Sequence, residues 1–196
     1  MRIYGDLKSG NCLKVKWVCD YLALPYDWID VDIMKGESRT PDFLALNPWG
    51  QVPTLVLDDG RPLAQSNAIL RFLARDSRLI PADPYAQARM DEWLFWEQYS
   101  HEPYVATCRF HMVYLGKPAS ELDPEKVKRG YAALDHMQRQ LEQSRFLVGE
   151  GVSLADVALL AYSRVAHEGG FELSRHGAVR RWIGEAERLL GIPSAS

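Results

Sequence analysis

The chain has 196 residues, 47% of them hydrophobic, and a formal net charge of −3 at neutral pH. That is enough apolar material for one large or two small cores, and the acidic balance argues against a nucleic-acid partner held on a basic face. No apolar run approaches the ~18 residues of a membrane span, and the opening Arg2-Ile3-Tyr4-Gly5-Asp6 has no leader-like apolar region. Three cysteines, odd in number and without a CxxC pair, predict no disulfide framework and a reducing cytoplasm. Five scattered histidines predict no metal site.

In chain order, Arg2 to Gly5 reads as a short strand. A helix is expected from Asn11 to about Leu22, with Leu13, Val15, Trp17 and Val18 as its apolar residues and Lys14, Lys16 and Asp20 as polar neighbours. Beyond Pro25, Tyr26 to Ile33 alternates large apolar with acidic residues, the period of a strand. Strand, helix and strand within about 30 residues form a βαβ unit, which makes the two strands parallel. A looser stretch with a short helix near Asp42 to Leu46 follows. Val52 to Ser66 reads as a hairpin turning at Asp59-Gly60. A second helix starts at Ser66, with Ile69, Phe72 and Leu73 on one face.

The two prolines and lost periodicity between Asp76 and Pro84 predict a linker. Everything beyond it reads as helix. Val127, Tyr131, Leu134 and Leu141 form one apolar face, Leu154, Val157, Ala158, Ala161 and Val165 another, and Val179, Trp182, Ile183, Ala186 and Leu190 a third. The expected organisation is an α/β domain over residues 1–76 and an all-α domain over 84–196.

Three short stretches are candidates for chemistry. Ser9, Gly10 and Asn11 precede the first helix, where Ser and Asn serve as N-caps. The same helix end favours an anion, a thiolate included. Lowering a thiol pKa from about 8.5 by two units takes roughly 2.7 kcal/mol of preference for the anion, the order that one charge-assisted hydrogen bond and a helix end supply. Val52-Pro53 leads into an apolar strand. A cis bond there would turn the Val52 main-chain N–H and C=O outward, toward a peptide-like ligand. Gln65-Ser66 opens the second helix, either as a cap or as a grip for a carboxylate.

Together, Ser9-Gly10-Asn11-Cys12-Leu13-Lys14-Val15, the run from Asn47-Pro48-Trp49-Gly50-Gln51-Val52-Pro53 to Gln65-Ser66-Asn67-Ala68-Ile69, and the helical remainder resemble the cytosolic glutathione transferases, in particular bacterial serine-type members. The resemblance implies a thioredoxin-like N-terminal domain and a helical C-terminal domain, with glutathione as co-substrate. It implies catalytic roles for Ser9 and Asn11 at the glutathione thiolate. Val52 and Pro53 would face the cysteinyl part, Gln65 and Ser66 the γ-glutamyl end, and Lys35 the glycyl carboxylate. Cys12 is the alternative thiol, for exchange chemistry, and sits one helical turn past Ser9. Gly151 to Tyr162 matches the family's internal capping motif, with Ser153 as N-cap and Asp156 at the third helical position.

Tyr85 to Tyr114 holds eight aromatics in 30 residues, where the chain average of 11% would give about three. The acceptor site is expected between the domains, with Tyr99, His101 and Tyr104 as lining candidates and Pro103 kinking their helix. The expected partners are a small-molecule electrophile and a second copy of the chain, with no nucleic acid and no membrane. Two rival readings keep the fold. One is a glutathione-dependent isomerase or disulfide reductase, the other a non-catalytic interaction module.

Overall fold

The structure, a computed structural model, describes residues 1–195. The chain divides into two compact units, Met1–Ser77 and a second from Arg78 on.

The first unit is built on a four-stranded sheet in the order β2-β1-β3-β4, from β1 (Arg2–Gly5), β2 (Asp27–Asp30), β3 (Thr54–Val56) and β4 (Pro62–Ala64). β1 and β2 are parallel, as a βαβ unit requires; β3 runs antiparallel to both β1 and β4. Three helices complete the unit: α1 (Gly10–Tyr21), α2 (Pro41–Leu46) and α3 (Ser66–Leu73). Ile3 and Leu55 from the sheet, Val15 and Val18 from α1, and Ile69 and Leu70 from α3 form its core.

Two side chains depart from the sequence pattern. Lys14, read as a polar neighbour of the apolar residues of α1, is 0% exposed. Phe72, expected on the buried face of α3, is exposed, and Leu70 is buried instead. In an eight-residue helix the apolar face is set by which turn meets the sheet, and 3.6-residue periodicity alone does not fix that.

In the second unit, α4 (Pro84–Trp96), α5 (Glu102–Arg109), α6 (Pro124–Gln143), α7 (Leu154–Ser163) and α8 (Gly177–Leu190) form a helical bundle; α4, α5 and α8 pack on α7, every residue of which is buried, and α6 packs on α5 and α8. Pro103 does not break its helix. A π-helical turn, Glu97–His101, joins α4 to α5, and the Glu102 N–H donates to the Glu97 carbonyl five residues back. The wider turn carries the chain past the missing proline donor. A second π turn, Phe110–Tyr114, follows α5.

The capping motif is present. Ser153 and Asp156 form a capping box at the start of α7. Asp156 also reaches beyond its own helix. Its Oδ2 accepts from the Ser153 N–H (2.8 Å) and hydroxyl (2.9 Å), and its Oδ1 from the Leu147 N–H (3.0 Å) and Trp182 Nε1 (2.8 Å). Burial pushes the Asp156 pKa up, while these four donors pull the other way.

Candidate functional site

The strand register brings the predicted residues to one end of the first unit's sheet. Tyr4, Thr54 and Ala64 lie opposite one another across β1, β3 and β4, and Gly5 lies opposite Asp30 across β1 and β2. The segments after β1, after β2, before β3 and after β4 therefore all leave the sheet at the same end. They carry Ser9 and Asn11, Lys35, Val52-Pro53, and Gln65-Ser66 respectively.

Ser9 occupies the N-cap position of α1 with extended backbone (φ −82°, ψ 119°), but its side chain makes no capping bond. The cap is made by the main chain: the Ser9 carbonyl accepts from Leu13 N–H at 2.9 Å and Cys12 N–H at 3.1 Å. Cys12 is 0% exposed, and its Sγ accepts from the Asp6 N–H at 3.4 Å. Burial pushes the Cys12 thiol up to about 11, despite the Asp6 and Ser9 hydrogen bonds, which lower it. A buried thiol of this kind is a poor nucleophile.

Asn11 and Ser66, 55 residues apart, are joined directly. The Ser66 hydroxyl donates to Asn11 Oδ1 at 3.1 Å, tying the start of α3 to the start of α1. The same oxygen accepts from Lys14 Nζ at 2.7 Å. Gln65, immediately before α3, has φ +70° and ψ 109°. A non-glycine residue there costs of order 1–3 kcal/mol and persists only where its surroundings impose it, most often at functional sites. Its side chain is exposed.

The Val52-Pro53 bond is cis. Among the described residues, neither the N–H nor the C=O of Val52 has a hydrogen-bond partner. The loop before it is held by Asn47, 2% exposed, whose Nδ2 donates to the Gln51 carbonyl (2.8 Å) and Thr54 Oγ1 (3.2 Å) and whose Oδ1 accepts from Trp49 N–H (3.1 Å). Thr54 Oγ1 donates back to the Gln51 carbonyl at 3.1 Å. Asn47 was visible in the Asn-Pro-x-Gly-Gln-Val-Pro run, but nothing in the sequence tells a clamp residue from a turn former. Lys35 is largely exposed and pairs with Asp32 Oδ2 at 3.0 Å.

The chain and its fold match known proteins. Residues 9–76 match the family model of the glutathione S-transferase N-terminal domain, and residues 96–188 that of its C-terminal domain. The chain belongs to the glutathione S-transferase family. A glutathione S-transferase of Arabidopsis thaliana is 32% identical over 172 residues, 83% of this chain and 79% of that protein. The crystal structure of a glutathione S-transferase from Pseudomonas fluorescens is 47% identical, with a TM-score of 0.92 over 95% of this chain and 94% of that one. One described as a possible glutathione S-transferase, from Rhodopseudomonas palustris, is 37% identical, with a TM-score of 0.94 over 98% and 96%.

In the second unit, the three candidate pocket residues have different surroundings. Tyr99 is 84% exposed. His101 is 0% exposed, with Nε2 3.1 Å from Ser163 Oγ and its ring beside Trp96. The Tyr104 hydroxyl accepts from Arg129 Nη1 at 2.9 Å, with the guanidinium over its ring.

Proposed function

We propose that the protein is a glutathione transferase of the serine type, in which Ser9 holds the thiolate of glutathione for attack on small hydrophobic electrophiles. The Asn11–Ser66 bond carries this reading, because it joins two helix starts at the end of the sheet where the unpaired Val52 main chain also lies. Such an end presents main-chain donors and acceptors to an extended peptide, and N–H groups at the start of α3 to its carboxylate. Ser9 donates a hydrogen bond to the thiolate, and Asn11 supports it. Val52 pairs with the cysteinyl main chain, with Pro53 fixing the segment. Gln65 and Ser66 hold the γ-glutamyl end, and Lys35 swings from Asp32 to the glycyl carboxylate. Catalysis follows from the lowered thiol pKa and from holding both reactants together.

The buried thiol of Cys12 speaks against exchange through the protein's own sulfur. The chain is expected to form a homodimer in a reducing cytoplasm. Tyr85, Phe95 and Tyr99 are strongly exposed aromatics available to a second copy, and three unbridged cysteines fit a reducing compartment. The acceptor pocket draws on the Tyr99 to Tyr104 segment. Stoichiometry tests the reading. With a panel of aryl halides, epoxides and isothiocyanates, one glutathione should be consumed per product. Regeneration of glutathione would instead mark an isomerase, and failure to bind a glutathione resin would mark an interaction module.

A further inference from the structure

The first unit has a cavity of about 610 Å³ at the end of its sheet opposite the candidate glutathione site. Register fixes the place: Asp27 and Val56 both lie opposite Arg2, where β1 begins, whereas the candidate site lies beyond Tyr4 and Gly5, where it ends. The length of β1 keeps the two apart by about 10 Å. The apolar wall is Leu24 and Pro25 after α1, Leu57 after β3, and Phe72 and Leu73 at the end of α3. This accounts for Phe72, the apolar residue of α3 that turns away from the core: its ring lines the cavity. The size is that of a small-molecule site, about 300–1,000 Å³. Its walls are held in place. The Tyr26 hydroxyl donates to Asp20 Oδ1 at 2.8 Å and accepts from Lys16 Nζ at 3.1 Å, and the Met1 carbonyl accepts from the Asp27 N–H at 3.0 Å. Arg75 Nη1 donates to the Phe72 carbonyl at 3.0 Å, with the guanidinium over the Phe72 ring.

The charges around the cavity are paired, with one exception. The Met1 α-ammonium meets Asp58 Oδ1 at 2.6 Å, Arg61 Nη2 meets Asp59 Oδ2 at 2.7 Å, and Arg75 Nε meets Asp76 Oδ2 at 3.3 Å. Asp27 also lines the cavity, and among the described residues its carboxylate has neither an ion pair nor a hydrogen bond. An apolar trough therefore carries one uncompensated negative charge. We propose that this cavity is a second ligand site, for a small organic monocation whose ammonium meets Asp27 and whose apolar arm lies along Phe72 and Leu73. The charge selects among ligands of one shape. A neutral alcohol gains the apolar contact alone, and an anion adds repulsion from Asp27. A second ammonium on the arm would lose water against the apolar wall without a partner.

The probes are phenethylammonium, its neutral analogue phenethyl alcohol and the anion hydrocinnamate, each titrated into isotope-labelled protein and followed by amide NMR. Phenethylammonium should shift the amides of Leu24, Asp27, Leu57, Phe72 and Leu73. It should bind about threefold to fivefold tighter than the alcohol, the scale of one exposed ion pair, and hydrocinnamate should bind more weakly than either. Asp27 and Phe72 are both exposed, so variants at these positions keep the core intact. Asp27→Asn should remove the preference for the amine and leave the alcohol's affinity unchanged. Phe72→Ser should weaken amine and alcohol alike, by about fivefold, through lost apolar contact. Saturating S-hexylglutathione should displace neither. Three results overturn the inference: no shifts at these amides, displacement of the amine by S-hexylglutathione, or a preference for the amine that survives Asp27→Asn. The last would mark diffuse attraction of a cation to a chain of net charge −3. Each of the three leaves the glutathione reading standing, because the cavity shares no residue with that site.

Discussion

Replacing Asp156 with alanine removes one buried carboxylate and strands three N–H donors: Leu147, Ser153 and the Trp182 indole. The Ser153 hydroxyl is a fourth partner but can rotate to another acceptor. A buried donor left without a partner costs about 1–3 kcal/mol. Relief from burying the carboxylate returns part of the sum, which leaves a net loss of about 3–5 kcal/mol. That is a large share of the roughly 5–15 kcal/mol that keeps a domain folded. Asp156→Asn should cost less, about 1–3 kcal/mol, because Oδ1 still serves Leu147 and Trp182 while only the Ser153 N–H faces the new NH2. Urea denaturation followed by circular dichroism and by tryptophan emission measures both, with Trp182 reporting from the contact itself. A loss below about 1 kcal/mol for Asp156→Ala, or equal losses for the two variants, would refute the view that Asp156 stabilises the second unit through these donors.

Ser9→Ala should raise the pKa of bound glutathione and slow conjugation at neutral pH by about 10- to 100-fold, the worth of one hydrogen bond to a charged group. Thiolate absorbance and rate should change together, and an unaltered pair would remove Ser9 from the mechanism. In Gly130→Ala the new Cβ would sit 2.4 Å from the buried Phe171 ring, so the variant should lose about 1–3 kcal/mol; an unchanged melting midpoint would show that the ring has room to move. At pH 8 the folded protein should resist iodoacetamide, because Cys12 at about 11 is roughly 0.1% ionised and Cys19, pushed to about 12 by burial, less still. Labelling of either cysteine in native protein would contradict that. The fold favours the protonated form of both thiols, so their contribution to stability is complete below the ordinary thiol pKa near 8.5 and fades as pH rises toward 11 and 12. An unfolding midpoint that rises over this alkaline range would reverse the sign of that linkage.

The sequence by itself determined the elements and their order. Alternation near Trp28, the Asp59-Gly60 turn and the prolines between Ser77 and Pro84 are local signals, and local backbone preferences are enough to produce them. The capping box was equally legible, since both partners lie within four residues. The candidate segments could be listed from sequence, but only strand register brings the segments that carry Ser9, Lys35, Val52 and Ser66 to one end of a sheet, because register depends on pairing between residues as far apart as Arg2 and Val56. Polar burial was the other property out of reach. Lys14 sits among residues that read as solvated, and Asn47 in a run that reads as a turn. A lysine or asparagine is buried only when its polar atoms are given partners, here Asn11 Oδ1 for Lys14 and the Gln51 carbonyl and Thr54 Oγ1 for Asn47, and residue type alone does not show that. Ser9 shows the division most clearly: the helix start was fixed by local sequence, but only the structure shows that the Ser9 side chain makes no capping bond there.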